Sequence, residues 1–186
     1  MKNSDPNRNM SSHRVTSGDR QSPAYSARLP LVVVLDRLRS AFNVGNIFRL
    51  SEATRVRRLI TCGYTASPPH PKLAKTARGC EQLVPHQHNA RAEEAVAQLK
   101  TEGFTVYGVE TISGAQAPWN TEFSFPVALV LGNEALGMSR EALAQCDKFL
   151  ALPQLGRKNS INVGNCAAVI LYEVARQYLS RHRASV

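Results

Sequence analysis

Three polar clusters, each close behind an apolar, strand-like run, hold side chains able to grip a ligand and activate an oxygen. The first is Ser40-Ala41-Phe42-Asn43-Val44-Gly45-Asn46-Ile47-Phe48-Arg49. Its Asn43 suits a helix N-cap, and Arg49 follows about 1.7 turns later, close enough to the helix start for a long side chain to reach toward the same loop. The second, Gly132-Asn133-Glu134-Ala135-Leu136-Gly137, sets one carboxylate between two glycines, which let backbone approach a ligand closely. The third, Gly156-Arg157-Lys158-Asn159-Ser160-Ile161-Asn162, offers backbone N–H groups, a hydroxyl and amides at a helix start, where a carboxylate or phosphate can sit. Taken one at a time, each cluster reads equally well as helix capping with a solvated arginine or glutamate beside it.

The elements that must position these clusters alternate along the chain. Residues 31–35, 58–62, 104–109, 127–131 and 149–152 are short, apolar, rich in β-branched side chains and bounded by Gly, Pro or polar residues, which predicts strands. Residues 45–54, 73–77, 92–102, 139–145 and 166–181 read as helices, with Ala92, Ala95, Val96 and Leu99 on one stripe. The last of them carries a wide stripe that suits burial against the sheet or a second subunit. Alternation of this kind predicts an α/β fold, a mostly parallel sheet with helices on both faces, whose post-strand loops converge at one sheet edge. Residues 1–28 contain almost no large apolar side chain and read as a flexible basic tail; 29–186 read as a single domain.

The chain has 23 Lys and Arg against 14 Asp and Glu, a net charge of +9, which favours an anionic partner and, in the absence of a basic amphipathic helix, nucleic acid over membrane. Arg55, Arg57 and Arg58 with Lys72, Lys75 and Arg78 are the candidate RNA-facing surface, the alternative being a merely solvated face. The four cysteines form no C-x-x-C pair, so reduced thiols and a cytoplasmic location are expected. No apolar run approaches the ~18 residues of a membrane span, and the N-terminus lacks the apolar core of a signal peptide. His86 and His88 with Cys80 fall short of a ligand set, so no metal is expected. The absence of G-x-G-x-x-G after the first strand argues against a nicotinamide oxidoreductase.

Together the three clusters resemble the SpoU (TrmH) branch of the SPOUT RNA methyltransferases. Asn43 and Arg49 match the family's first motif, Gly132, Glu134 and Gly137 its second, and Leu152-Pro153 with Ser160-Ile161-Asn162 its third. The Lys75-Thr76-Ala77-Arg78-Gly79 segment followed by Val84-Pro85 also looks like the family's connecting region. The chain departs from the pattern in carrying Ile161 where Leu is usual and Gly164-Asn165-Cys166 in place of a Ser-Val-Ala type continuation, and the separate N-terminal RNA-binding domain of larger members is not expected here. The resemblance implies a C-terminal trefoil knot, a homodimer whose active site is completed across the interface, and transfer of a methyl group from S-adenosylmethionine to a ribose 2′-hydroxyl, in tRNA first and rRNA second, with a non-catalytic RNA-binding relative as the other alternative. It further implies cofactor contacts at Glu110, Thr111, Leu131, Gly132, Gly137, Leu152 and Ile161. Arg49 would be the base or the stabiliser of the developing alkoxide, Asn43 and Ser160 would position ribose or phosphate, Glu134 would orient Arg49 or neighbouring loops, and Asn162 would brace the knot.

Overall fold

The computed structural model describes residues 27–183, so the expected tail lies almost wholly outside the described residues. At its end, Arg28 donates to the carbonyls of Val56 and Leu83 at 3.1 and 2.7 Å, which ties the start of the domain to the neighbouring strand and turn.

Six strands form one sheet: β1 (Leu29–Asp36), β2 (Val56–Cys62), β3 (His86–Asn89), β4 (Thr105–Val109), β5 (Val127–Leu131) and β6 (Lys148–Leu150). Their order is β3-β2-β1-β5-β4-β6 and every pairing is parallel. The helices are α1 (Ala41–Ala53), α2 (Pro71–Ala77), α3 (Cys80–Leu83), α4 (Ala92–Thr101), α5 (Arg140–Leu143) and α6 (Val163–Arg183).

The two faces of β1 explain why it reads as an unbroken apolar run. Leu31, Val33 and Leu35 pack with Val44, Ile47 and Phe48 of α1, Leu73 of α2 and Ile170, Leu171 and Val174 of α6. Val32 and Val34 pack on the opposite face with Ala92, Ala95, Val96 and Leu99 of α4 and Ala142 of α5. A strand buried on both faces has no polar side to show, and each such side chain contributes roughly 1.5–3 kcal/mol of burial.

Several expected boundaries move. The segment carrying His86 and His88, absent from the predicted strands, is the edge strand β3, paired with β2 from Leu59↔His86 to Cys62↔Asn89. Four polar residues give no apolar period, and only the ladder of β2 holds them extended. Helix α1 begins at Ala41 rather than residue 45 because Ser40, not Asn43, is its N-cap, the hydroxyl accepting the Asn43 N–H at 3.2 Å. Helix α6 starts at Val163, three residues earlier than expected, because Asn162 Oδ1 accepts the N–H groups of Gly164 and Asn165 at 2.9 and 3.3 Å. Strand β6 shortens to residues 148–150 and α5 to residues 140–143.

β1 and β5 lie side by side, in register from Leu31↔Val127 to Leu35↔Leu131. From their adjacent ends the chain departs in opposite directions, into α1 on one face of the sheet and α5 on the other. Such divergence opens a crevice at the carboxyl ends of the strands.

Candidate functional site

A cavity of about 690 Å³ occupies that edge, at the carboxyl ends of β4, β5 and β6. Its volume lies within the range of small-molecule sites, roughly 300–1,000 Å³. Val109, Leu131, Leu150 and Leu152 supply an apolar wall, and the loops after the strands supply a polar rim. All seven residues expected at a cofactor, Glu110, Thr111, Leu131, Gly132, Gly137, Leu152 and Ile161, line this space, together with Glu134, Ser160 and Asn162. Asn43 and Arg49 do not.

Asn43 is nevertheless joined to the rim. Its amide donates to Glu134 Oε1 at 2.9 Å, and its carbonyl oxygen accepts from the Asn162 amide at 3.1 Å. Glu134 also accepts the backbone N–H groups of Arg39 at 2.9 Å and Ser40 at 3.3 Å. Hydrogen bonds thus connect all three sequence clusters. Partial burial alone would raise the Glu134 carboxyl, but the N–H of Arg39, the Asn43 amide and the N–H of Ser40 hold it below its ordinary value of 4.5. Glu134 therefore binds the β1–α1 loop rather than Arg49, contrary to the first of its two expected roles. A carboxylate beside the positive end of α1 also complements the helix dipole.

Arg49 lies exposed on α1 and makes no hydrogen bond or ion pair among the described residues. Its charge is felt at Cys80, whose thiol burial raises and Glu52 raises further, while Arg49 opposes both.

Glycine is required at two rim positions. A Cβ on Gly132 would collide with the backbone of Gly137 and Met138, and one on Gly137, where φ is +70°, would stand 2.6 Å from Glu110 Oε2. That Glu110 oxygen accepts the Met138 N–H at 3.0 Å, and the other carboxylate oxygen accepts the Thr111 N–H at 3.3 Å. Glu134 is consequently not the only carboxylate near the loop, as its sequence neighbourhood suggested: Glu110 arrives from β4.

Three contributors escaped the sequence reading. Asn133, 4% exposed, donates its amide to the Arg37 carbonyl at 2.7 Å and the Tyr64 hydroxyl at 2.8 Å, while its Oδ1 accepts the N–H groups of Ala135 and Leu136. This Asx turn shapes the Glu134 loop, and an Asn at the head of a Gly-bracketed turn was the available signal. Asp36, 1% exposed at the end of β1, accepts the Ser139 N–H at 2.6 Å and pairs with Arg37 Nε at 3.0 Å. Cys166 lines the cavity with its thiol pushed up by burial to about 11, so it is neutral near pH 7 and no nucleophile there.

The expected basic surface divides. Arg57 and Arg58 stand at the start of β2, the opposite end of the strands from the cavity. Both lie 6.0 Å over the Phe104 ring, and Arg58 forms two bonds with Glu102 at 2.7 and 2.9 Å. Lys72, Lys75 and Arg78 are exposed on α2 and its C-cap, and α2 packs closely on α1 around Gly45. Among the described residues no three His, Cys, Asp or Glu side chains gather as a metal site, and no helix is long and apolar enough to cross a membrane.

A parallel α/β sheet with a cavity at the carboxyl ends of β4, β5 and β6, rimmed by glycine-bearing loops that hydrogen bonds tie to the start of α1, has the architecture of a small-molecule-binding enzyme. The chain belongs to the SpoU rRNA Methylase family, whose model matches residues 30–172. It is 31% identical over 163 residues to a protein of Staphylococcus haemolyticus assigned to the TrmH family of tRNA/rRNA methyltransferases, an alignment covering 88% of this chain and 64% of that one. The SpoU methyltransferase AviRb from Streptomyces viridochromogenes, in complex with AdoMet, superposes with a TM-score of 0.74 at 28% identity, covering 80% of this chain and 58% of that one. An AdoMet-bound rRNA methyltransferase from Sinorhizobium meliloti gives 0.74 at 26% identity, covering 84% and 61%. The chain therefore spans less than two thirds of the length of each of these relatives.

Proposed function

We propose that this chain is an S-adenosylmethionine-dependent RNA methyltransferase acting on a ribose 2′-hydroxyl, in tRNA ahead of rRNA, as a homodimer. The observation that carries the reading is the hydrogen-bonded chain Glu134–Asn43–Asn162, which couples the rim of the 690 Å³ cavity to the helix that presents Arg49.

The cavity fits the cofactor chemically: an apolar wall of Val109, Leu131, Leu150 and Leu152 suits a flat adenine, and Thr111, Gln154 and Ser160 offer polar contacts. When bound, S-adenosylmethionine supplies an electrophilic sulfonium methyl. The protein's task is then to place a ribose oxygen in line with that methyl, and such positioning accounts for roughly 7–11 kcal/mol of barrier at best. Ser160 and Asn162 stand on the rim where a ribose or its phosphate would rest, and Asn43 is held ready behind them.

Arg49 in this reading stays charged. A guanidinium keeps its proton in proteins, and here it is exposed with no carboxylate bonded to it among the described residues, so it stabilises the developing alkoxide and grips the adjacent phosphate while the hydroxyl proton passes to solvent water. The trefoil knot would thread the residues after Leu152 past the loop that follows β4; the bridge between Gln116 and Leu150 and the bond from Glu110 N–H to the Leu150 carbonyl support that path. Val169 and Tyr172 of α6, 42% and 55% exposed, support the dimer.

The test is Arg49→Ala with tRNA and rRNA as methyl acceptors, read by nucleoside mass spectrometry. The expected result is loss of a 2′-O-methyl nucleoside with cofactor affinity by calorimetry near wild type. Cofactor affinity lost while activity per bound complex is retained would overturn the assignment.

A further inference from the structure

Tyr64 follows β2 at the same sheet edge as the cavity; the residue is 58% exposed, and its ring has no aromatic or cationic partner among the described residues. It is not a loose side chain. Its hydroxyl accepts the amide of buried Asn133 at 2.8 Å, which fixes the ring relative to the Glu134 loop and leaves the hydroxyl proton free for a ligand. The next residue locks the backbone: Thr65 Oγ1 accepts the Leu38 N–H at 2.9 Å and donates to the Leu35 carbonyl at 3.1 Å. Gly63, with φ at +60°, lets the Arg37 stem approach to 3.0 Å of where a Cβ would be. Tyr64 and the β1–α1 loop are therefore one rigid unit, and that loop carries Arg39, exposed and with no partner for its guanidinium among the described residues.

On the reading of the chain as an RNA methyltransferase, we infer that Tyr64 is a base-stacking residue that holds an unpaired nucleotide beside the acceptor ribose, with Arg39 on its phosphate. A pre-oriented aromatic face next to an unpaired cation matches the chemistry of single-stranded nucleic acid, whose bases expose their faces. Bases within a duplex are covered by their neighbours and offer no face to a side chain. The acceptor is thus a loop or other unpaired segment, and Tyr64 positions it through stacking.

The experiment measures binding of a short fluorescein-labelled single-stranded RNA, and of the same sequence as a duplex, to wild type, Tyr64→Phe and Tyr64→Leu, with cofactor calorimetry alongside. Tyr64→Leu is expected to weaken single-strand binding roughly 5- to 150-fold. Tyr64→Phe keeps single-strand binding near wild type, and duplex and cofactor binding do not change. Single-strand binding equal in all three proteins overturns the inference while leaving the methyltransferase reading intact. Phe and Leu variants failing together, with cofactor affinity falling in step, overturn it in favour of a prop for the Asn133 loop. A wild-type protein that binds neither RNA removes the underlying RNA reading as well.

Discussion

Glu134 acts on a helix to which it does not belong. By accepting the N–H groups of Arg39 and Ser40 and the Asn43 amide it satisfies donors at the entry to α1 from a loop nearly a hundred residues away in sequence, separations of 95, 94 and 91. Glu134→Gln leaves an amide facing those donors, and hydrogen bonds to a charged acceptor contribute about 1.5–3 kcal/mol, less here because the group is solvent-screened. The expected outcome is a small drop in thermal midpoint and a much larger drop in methyl transfer, measured side by side. The pH dependence has a defined sign: with its folded value lowered below 4.5, Glu134 contributes stability that is fully present above that pH and lost as pH falls through the folded value. Glu134→Gln should therefore flatten the acid limb of the stability profile and leave neutral pH behaviour parallel to wild type. At the cavity wall, the Cys166 thiol, raised to about 11, should be alkylated by iodoacetamide only slowly at neutral pH, and more slowly still with S-adenosylmethionine present. Rapid modification at neutral pH would contradict that environment. At this scale the sequence was informative about identity and poor about partnership. Gly132, Glu134 and Ser160 could be picked out by type and spacing, but that Glu134 faces Asn43 rather than Arg49 depends on an adjacency of β1 and β5 that local pattern does not encode.

Among the elements, the packing of α1 governs the placing of Arg49. Gly45 meets α2 so closely that a Cβ would strike Thr76 Oγ1 and the Leu73 carbonyl, and Thr76 in turn donates to the Phe42 carbonyl at 3.1 Å. Gly45→Ala gains up to about 1 kcal/mol of helix propensity but overpacks the crossing by about 1–3 kcal/mol, so net destabilisation is expected in a denaturant melt. A stabilised variant would show that α2 can slide away. The long apolar strands and the α4 stripe were legible because burial on two faces, or on one helical face, leaves a periodic record in side-chain type. β3 was not, since His86-Gln87-His88-Asn89 is held by backbone pairing at an edge, and neither was the start of α1, where two candidate caps, Ser40 and Asn43, lie within four residues and tertiary contacts choose Ser40.

For the whole molecule, the net charge of +9 acquires a direction. Lys72, Lys75 and Arg78 stand exposed on α2 and its C-cap, and α2 packs on α1 at Gly45, one turn before Arg49, whereas Arg57 and Arg58 are engaged at the far end of the strands. RNA affinity should fall linearly on a log–log salt plot, and Lys75→Ala should reduce the slope by about 0.7–0.9 while Arg57→Ala leaves it unchanged. A slope altered equally by both would mean that the charge is diffuse. The proposed dimer makes a separate prediction: Tyr172→Arg should convert a particle of twice the 20.4 kDa chain mass to monomer by light scattering and reduce methyl transfer with it. Overall composition pointed to an anionic partner, but only the fold reveals that Arg57 and Arg58 stand at the opposite end of the strands from the cavity.

The bond between Asn162 and Asn43 spans 119 residues, and the Glu134 link to Asn43 spans 91. Contacts so remote in sequence are formed late, because the chain entropy of closing them must be met before they return anything. On a ribosome the first motif emerges long before the third, so a nascent chain can hold most of its sheet and still lack a rim for its pocket. On the proposed function, methyl transfer is then the last property this polypeptide acquires, and a methylation assay during refolding doubles as a clock for completion of the native fold.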